Sequence, residues 1–598
     1  MLLLLLSVVA LGCGAAPSHT STSSEPAPLR IAWQTWSAET FARAAREHKP
    51  ILLSVQAEWC HFCHVMNEET FGDVRVRREV NEHFIAIRVE QSERPDLAER
   101  YRRYAWPATV FLSPEGDELL ALRGYRPVAG FLPDLARVEQ AARTGQALEA
   151  ATPSGPPAEL EATRLALVAQ LDGLYDERLD GWGTGQRYPF AEPVEEAFFR
   201  AQVRGESVWN ERATRSLDRY AQLIDPVFGG MYQYSVGDVW TRPHFEKIAR
   251  VQAGALRAFS EAARVTGDDR WLQHAEDIRR YLTRFLERPD GGFGASQDAD
   301  LMLAGGPRIS GEEYYAKTEA ERLALGVPHI DESVLAAENG QLIEALARYA
   351  EAGGDASALD QATRAADHLL STLLRADGLL AHRASERDDT TEMAHLADQA
   401  WPLVGLLALH EVTGAERYLE AARQLADATQ AKLGDAQSGG FFAHTRDPRA
   451  VGIFRERRVP IEDNAVFARG LLVLSRLDES GARRQRAEAA LRGCARTDEL
   501  RSLGRMVGQY LLTLEFFSSD YAILSVIGPD DAATDALFHA ALRSADPRRL
   551  VELRRPGHGR YPYPGRPAVY ICTSDSCSLP VTAPDDLPAA VTNFLAGP

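Results

Sequence analysis

Two cysteines two residues apart, in Glu58-Trp59-Cys60-His61-Phe62-Cys63-His64, follow a hydrophobic run and open a helical one. A thiol at a helix start faces unpaired backbone N–H groups and the positive end of the helix dipole, which favour the thiolate. On that ground Cys60 is expected to ionise below the ordinary thiol range and to attack. Cys63, one turn later, would resolve the mixed disulfide. The same residues also spell the haem-attachment pattern C-x-x-C-H, with His64 as axial ligand. Strand–helix–strand surroundings speak against that, since haem is wrapped by small helical domains. Metal ligation by Cys60, Cys63, His61 or His64 lacks a second Cys/His pair nearby. The plain alternative is a disulfide that staples a helix end.

A second set of groups lies further along: His244, Glu246, Asp298, Asp300 and Asp398, all near expected loop or helix ends. Paired carboxylates move protons at glycosidic bonds, and a His–Glu pair can move a sugar α-proton. Trp182, Tyr234 and Trp240 could stack on sugar rings. Equally, such groups cap helices and tie turns together. Cys572 and Cys577 sit at a strand end, where a local structural disulfide is expected, and Cys494 lies in a helical run as a small buried residue.

These residues need elements to hold them. Over the first part, short strand-like runs alternate with helical ones: a helix over Phe41 to Glu47, a buried strand over Ile51 to Val55, and a helix from Val65. A strand follows over Phe84 to Val89, then a hairpin of Ala108 to Leu112 and Glu118 to Leu122 turning at Pro114-Glu115-Gly116-Asp117. Trp106-Pro107 stands where a thioredoxin fold places a cis-proline beside its redox pair. Ala151 to Pro157 is a linker by composition.

The long middle is helical. Leu342, Ile343, Leu346, Tyr349 and Ala350 share one face, as do Leu419, Ala422, Leu425 and Ala426. Between helices a Gly-rich signal recurs: Asp180-Gly181-Trp182-Gly183, Gly229-Gly230-Met231-Tyr232, Gly291-Gly292-Phe293-Gly294, Gly439-Gly440-Phe441-Phe442, and a weaker copy at Asp377-Gly378-Leu379-Leu380. Intervals of roughly 50 to 85 residues predict helical hairpins closed into a toroid. A small α/β element ends the chain, with strands over Tyr521 to Ile527, Arg549 to Leu553 and Ala568 to Cys572 and helices over Ala533 to Arg543 and Leu587 to Leu595.

The whole chain bounds the function. Its 598 residues exceed one ordinary core. A net charge of −19 argues against nucleic acid or an anionic lipid surface as the main partner. Leu2 to Leu6 and Val8 to Leu11 form an apolar stretch too short to span a bilayer, ending in Ala10-Leu11-Gly12-Cys13 before a polar run from Pro17 to Pro28. That pattern is similar to a bacterial lipoprotein signal with Cys13 as the lipidated residue. Export to the cell envelope is expected, with the membrane touched only through that anchor.

The motifs together resemble one family. Lys49-Pro50-Ile51-Leu52-Leu53-Ser54, Cys60 to Met66, Glu68-Glu69-Thr70-Phe71, Asn81-Glu82-His83-Phe84, Glu93-Arg94-Pro95-Asp96 and Trp106-Pro107 are similar to the spermatogenesis-associated protein twenty family. So are Arg187-Tyr188-Pro189, Pro243-His244-Phe245-Glu246-Lys247, Gln297-Asp298-Ala299-Asp300, Asn339-Gly340 and the tail at Tyr570-Ile571-Cys572. Phe62 and Glu338 stand where that family has Trp, and Val466-Phe467-Ala468-Arg469 replaces its Pro-Ser-Gly-Asn-like segment, marking a divergent branch.

The resemblance implies a multidomain chain. A lipoprotein signal and tether would occupy residues 1–28, an α/β thioredoxin-like domain 29–148, a linker 149–158, an all-α (α/α)6 toroid 159–517, and a small C-terminal α/β element 518–598. The expected function is thiol–disulfide exchange through Cys60 and Cys63, supported by Trp59, His61, His64 and Pro107, without cofactor or metal. Partners would be protein thiols and disulfides, or a small-molecule or glycan ligand of the toroid. The competing expectation is a carbohydrate-binding or carbohydrate-active toroid, glycosidase- or epimerase-like, with a structural thioredoxin-like domain.

Overall fold

The computed structural model describes residues 30–144, 148, 159–303, 305–353, 356–387, 392–557 and 561–595. Cys13 and the proposed linker lie outside the described residues. No described helix is long and apolar enough to cross a membrane.

The first domain is built on four strands, β1 (Ile51–Gln56), β2 (Ile85–Glu90), β3 (Ala108–Leu112) and β4 (Glu118–Arg123), in the order β2-β1-β3-β4. β1 runs parallel to β2 and antiparallel to β3. As a central strand with both faces covered it is buried at every position, which is why its sequence does not alternate. Helices Val74–His83 and Val128–Thr144 cover one face through Val76, Val80, Phe131, Leu135 and Val138. Helix Ala38–Glu47, capped by the Ser37 hydroxyl accepting the Thr40 N–H, covers the other through Phe41 and Ala44. This is the expected thioredoxin-like domain.

The middle of the chain forms a closed ring. Six inner helices, Ala191–Val203, Ala249–Thr266, Ala336–Gly353, Ala397–Thr413, Ile461–Leu477 and Gly508–Ser518, pack each against the next, and the sixth returns to the first. Outside them lie Val208–Tyr220, Arg270–Tyr281, Ala356–Thr372, Glu416–Leu433, Gly481–Cys494 and, closing the ring, Leu160–Leu174. Inner helices touch neighbours on both sides and outer helices behind, so they are buried nearly all round. In Ala336–Gly353 the single apolar face read from sequence is part of an almost continuous burial. The third and fourth inner helices approach most closely through glycines: a Cβ on Gly340 would stand 2.3 Å from the Pro402 backbone N, and one on Gly405 2.6 Å from the Gly340 carbonyl O.

Four of the five recurring Gly-rich turns share one device. An amide side chain from the first turn of the following inner helix brackets a residue one or two places after the leading glycine or glycines, accepting its N–H and donating to its carbonyl. Gln252 does this to Met231 at 2.7 and 2.7 Å, and Asn339 to Phe293 at 2.8 and 3.0 Å. Gln399 does it to Leu380 at 2.8 and 2.9 Å, and Asn464 to Phe441 at 2.8 and 2.9 Å. Two otherwise orphaned buried backbone groups are thereby satisfied per turn. The sixth inner helix keeps the amide, Gln509, with its Nε2 buried and unpartnered.

The C-terminal element has strands β5 (Ala522–Ile527), β6 (Arg549–Arg554) and β7 (Ala568–Cys572) in the order β6-β5-β7, crossed by helix Ala532–Leu542. Cys572 and Cys577 are joined as a disulfide. Tyr521, Pro547, Arg549 and Leu550 close the end of the ring where the inner helices finish, leaving an axial cavity of about 150 Å³ lined by paired Arg and Glu side chains.

Candidate functional site

Cys60 ends the loop after β1 and caps the helix that follows, over His61–Val65, continued by a wider turn over Met66–Thr70. Its Sγ accepts the Cys63 N–H at 3.2 Å. The two sulfurs are 2.7 Å apart and both cysteines are free thiols. Trp59 and the partly buried Trp106 pack beside them, with Pro107 behind a cis Trp106–Pro107 bond. Cys60 and Cys63 are only 4% and 1% exposed, which means that something covers them.

The cover is the toroid. Ile248 and Val251, at the start of the second inner helix, pack on the cysteine segment. Glu246 Oε1 accepts the His61 N–H at 3.1 Å, and the Ala299 N–H reaches Trp59 O at 3.5 Å. His61 Nδ1 is 2.9 Å from Asp300 Oδ2, and His64 approaches Asp300 at 3.5 Å and Asp298 at 3.6 Å. Arg308 donates to Asp300 at 2.7 Å and pairs with Glu68 at 3.1 Å. His244 lies beneath, stacked on Tyr234 at 4.5 Å and 5.1 Å from the Phe62 ring. Thus the cysteine pair and four of the five toroid residues, read from sequence as two sites, meet at one seam.

Asp398 stands apart from that group. It pairs with His382 at 3.0 Å, and His382 Nε2 lies 3.0 Å from Ser92 O in the thioredoxin-like domain. Burial works against a charged His382, but Asp398 raises it to about 9. Asp398 therefore orients a docking contact. Other contacts widen the seam: Gly452 lies against Gly116, with Ile453 N–H donating to Gly116 O at 3.2 Å, Phe454 packs on Trp36 at 4.7 Å, and Arg102 pairs with Glu462.

The electrostatics overturn one expectation. Burial, the Cys63 thiol and the Glu246 carboxylate push the Cys60 thiol well up, outweighing the Cys63 N–H at the helix start. A helix start favours the thiolate where the thiol is open to solvent, whereas here the toroid desolvates it. Asp300 is held far below the usual carboxylate range: burial opposes its charge, but His61 and His64 outweigh it, and the Gly311 N–H adds a further bond. Burial raises Asp298 to about 6. His61 is raised, chiefly by Asp300.

His64, Asp298 and Asp300 each bring one donor atom within 4.8 Å of the others, the spacing of a cation cluster. A cation there would have to compete with Arg308 and His61 for Asp300. The sugar-stacking role expected of Trp182, Tyr234 and Trp240 is not borne out by their positions: they are 4%, 7% and 4% exposed. Trp182 stacks with Trp209, Tyr234 with Tyr188, and the Trp240 indole donates to Leu179 O. Cys494 is buried in an outer helix and its thiol is pushed far up by burial.

Sequence reading missed Arg308, Ile248 and Val251, which carry no motif of their own. Glu68 lay inside a quoted motif without a role.

A pH prediction follows from His61. A histidine raised by its partner contributes to the seam fully below its free value near 6.5, and that contribution is lost as pH rises through its higher docked value. Asp300→Asn should bring the His61 titration, followed by NMR, back down toward the free value. An unmoved titration would mean that Asp300 does not set it.

A family model described as "Protein of unknown function, DUF255" (Thioredox_DsbH) matches residues 22–141. Human spermatogenesis-associated protein 20 is 25% identical over 589 residues, covering 73% of this chain and 74% of that protein. The thiol:disulfide interchange protein DsbD of Yersinia pestis is 27% identical over 97 residues, 15% of this chain and 16% of that one. Among solved structures, the cellobiose 2-epimerase of Bacillus thermoamylovorans covers 60% of this chain and 98% of its own at 10% identity, with a TM-score of 0.46. By sequence the chain is similar to spermatogenesis-associated protein 20 over most of its length, and its first domain is similar to a thioredoxin-like DUF255 family model.

Proposed function

We propose that the chain is a thiol–disulfide oxidoreductase whose Cys60–Cys63 dithiol acts on small disulfides reaching the seam between the thioredoxin-like domain and the toroid. One observation carries this reading: two free thiols with sulfurs 2.7 Å apart, the first capping a helix and accepting the N–H of the second. That is the arrangement a thiolate needs to attack and a neighbour needs to resolve. The toroid covering both thiols favours small disulfides over folded proteins. Similarity over 97 residues to a segment of a thiol:disulfide interchange protein supports the same chemistry. Export and anchoring through Cys13 belong to the proposal.

A second reading places carbohydrate chemistry in the toroid. It is supported by acids at the starts of inner helices: Glu338 with a buried unpartnered Oε2, Asp398, and Asp463, which burial raises to about 7. One experiment separates the two. The reduced protein is mixed with cystine, with an aromatic disulfide and with insulin, and thiol release is followed. In parallel, thermal shift is measured against glycans in both redox states. Consumption of the small disulfides ahead of insulin is expected. Stabilisation by a glycan in either redox state, without any exchange, would move the function to the toroid.

A further inference from the structure

His382 stands on the loop before the fourth inner helix, on the toroid side of the seam, and is buried. Its two ring nitrogens face oxygens of opposite domains. Nδ1 lies 3.1 and 3.0 Å from the two carboxylate oxygens of Asp398, and Nε2 lies 3.0 Å from the backbone O of Ser92 in the thioredoxin-like domain. A carboxylate and a carbonyl only accept, so both contacts are hydrogen bonds only when both nitrogens carry hydrogen, as in the imidazolium. Burial opposes the charge on Asp398, but His382 outweighs it and holds that carboxyl below its usual range. A neutral ring therefore keeps its one hydrogen on Nδ1, and the Nε2 lone pair is left against the Ser92 oxygen. In the undocked toroid the same lone pair would accept from water. Losing the proton thus costs more with the domains together than apart.

The charged and titratable groups around the ring come from every element packed on it. Arg383 and Glu386 share its loop, and Arg383 also donates to Ser92 O. Glu338, with Arg250 near it, faces the ring from the third inner helix. The His395 ring lies 5.9 Å away with His444 behind it, and Asp96, paired with Arg94, approaches His395 from the thioredoxin-like domain. Burial lowers His395 to about 3, so it stays neutral while His382 titrates.

The geometry points to His382 as a proton-dependent latch: charged, it fastens the thioredoxin-like domain to the toroid that covers Cys60 and Cys63, and neutral, it loosens that cover. As regulation of the cysteine site, the latch rests on the exchange reading for its purpose. Burial opposes the charged ring, but Asp398 raises it to about 9. The latch is therefore complete below the undocked value and is lost as pH rises through the docked one. The contacts of Glu246 and Phe454 across the seam remain, so what changes is how often the seam opens. Small disulfides are the substrates of the latched form, and folded protein disulfides gain access as the proton leaves.

The test is His382→Asn in the full chain, whose amide takes the place of Nδ1 toward Asp398 and leaves no donor for Ser92 O. Iodoacetamide labelling of Cys60 and Cys63 is followed by mass spectrometry from neutral to alkaline pH in variant and wild type. The thiolate fraction enters both rates alike and cancels in their ratio. At neutral pH the variant should label about tenfold faster, the scale of one lost hydrogen bond to a charged group. The ratio should then fall to equality as pH passes about 9, where wild-type His382 is neutral too. Equal rates at every pH overturn the latch. So does a ratio that is raised but constant, because the variant would then have lost packing and not a proton. If Asn prevents folding, Asp398→Asn is used; it lowers the His382 titration, and the same convergence is required of it. Exchange with insulin and with cystine is measured alongside. Converging labelling rates in a protein that exchanges neither would remove the exchange reading and leave the latch standing, whereas exchange with a constant labelling ratio would remove the latch alone.

Discussion

Cys60→Ser is expected to abolish disulfide exchange, a loss on the order of 10⁴-fold or more, the scale on which removal of a nucleophile acts. Serine in this place keeps the cap, since its oxygen can accept the Cys63 N–H as the sulfur does at 3.2 Å. The loss would therefore report chemistry and not a frayed helix. Cys63→Ser should behave differently. Cys60 remains able to attack, but no thiol 2.7 Å away is left to resolve the product. A mixed disulfide on Cys60 should accumulate, seen by mass spectrometry under non-reducing conditions. Retained exchange in Cys60→Ser, or equal trapping by both variants, would sink the assignment. Cys494→Ser serves as a control, because that thiol is buried in another part of the chain.

The second large effect concerns stability. Asp225→Asn should cost about 3–5 kcal/mol, the usual penalty for removing one partner of a buried charge group. Asp225 is 1% exposed, and Lys247 and Arg322 are fully buried against it. Lys247 Nζ donates to Asp225 Oδ2 and to Gly229 O, each at 2.8 Å, and Arg322 Nη1 reaches both carboxylate oxygens at 3.1 and 2.8 Å. The faces of Tyr232, Tyr281 and Tyr315 surround the ammonium at 4.5 to 5.3 Å. Burial already lowers Lys247 to about 8, so without Asp225 the lysine has more reason to lose its proton. The measurement is the denaturant midpoint of the full chain. Adding Lys247→Met should cost less than the sum of the single changes. A loss below about 1 kcal/mol for Asp225→Asn would show that the carboxylate does not hold the cluster together.

Lys247 illustrates what the sequence does and does not reveal. Pro243-His244-Phe245-Glu246-Lys247 is legible as a motif, but its members face opposite ways. His244 and Glu246 reach the cysteine helix, while Lys247 ties the Gly229-Gly230 turn to Arg322 through Asp225. Asn339-Gly340 reads as a signature, and its physical content appears only in space. The amide brackets Phe293, and the glycine admits the Pro402 backbone.

Strands β1, β3 and β4 and the helical hairpins were legible because hydrophobic period and turn residues are local signals. The pairing of His61 with Asp300, 239 residues away, has no such signal. For that reason one seam read as two separate sites. The ionisation of Cys60 was misread for the same cause: the helix start lies in the local sequence, and the desolvating cover arrives from Glu246 and Ile248.

The helix bearing Cys60 and Cys63 is also a surface on which the toroid closes. Under the proposed exchange, closure and oxidation state are thermodynamically linked, and the linkage is reciprocal. If the closed arrangement prefers the dithiol to the disulfide by some factor, oxidation weakens closure by that same factor. On that reading the strength of the domain contact is a quantity that the state of two sulfur atoms sets.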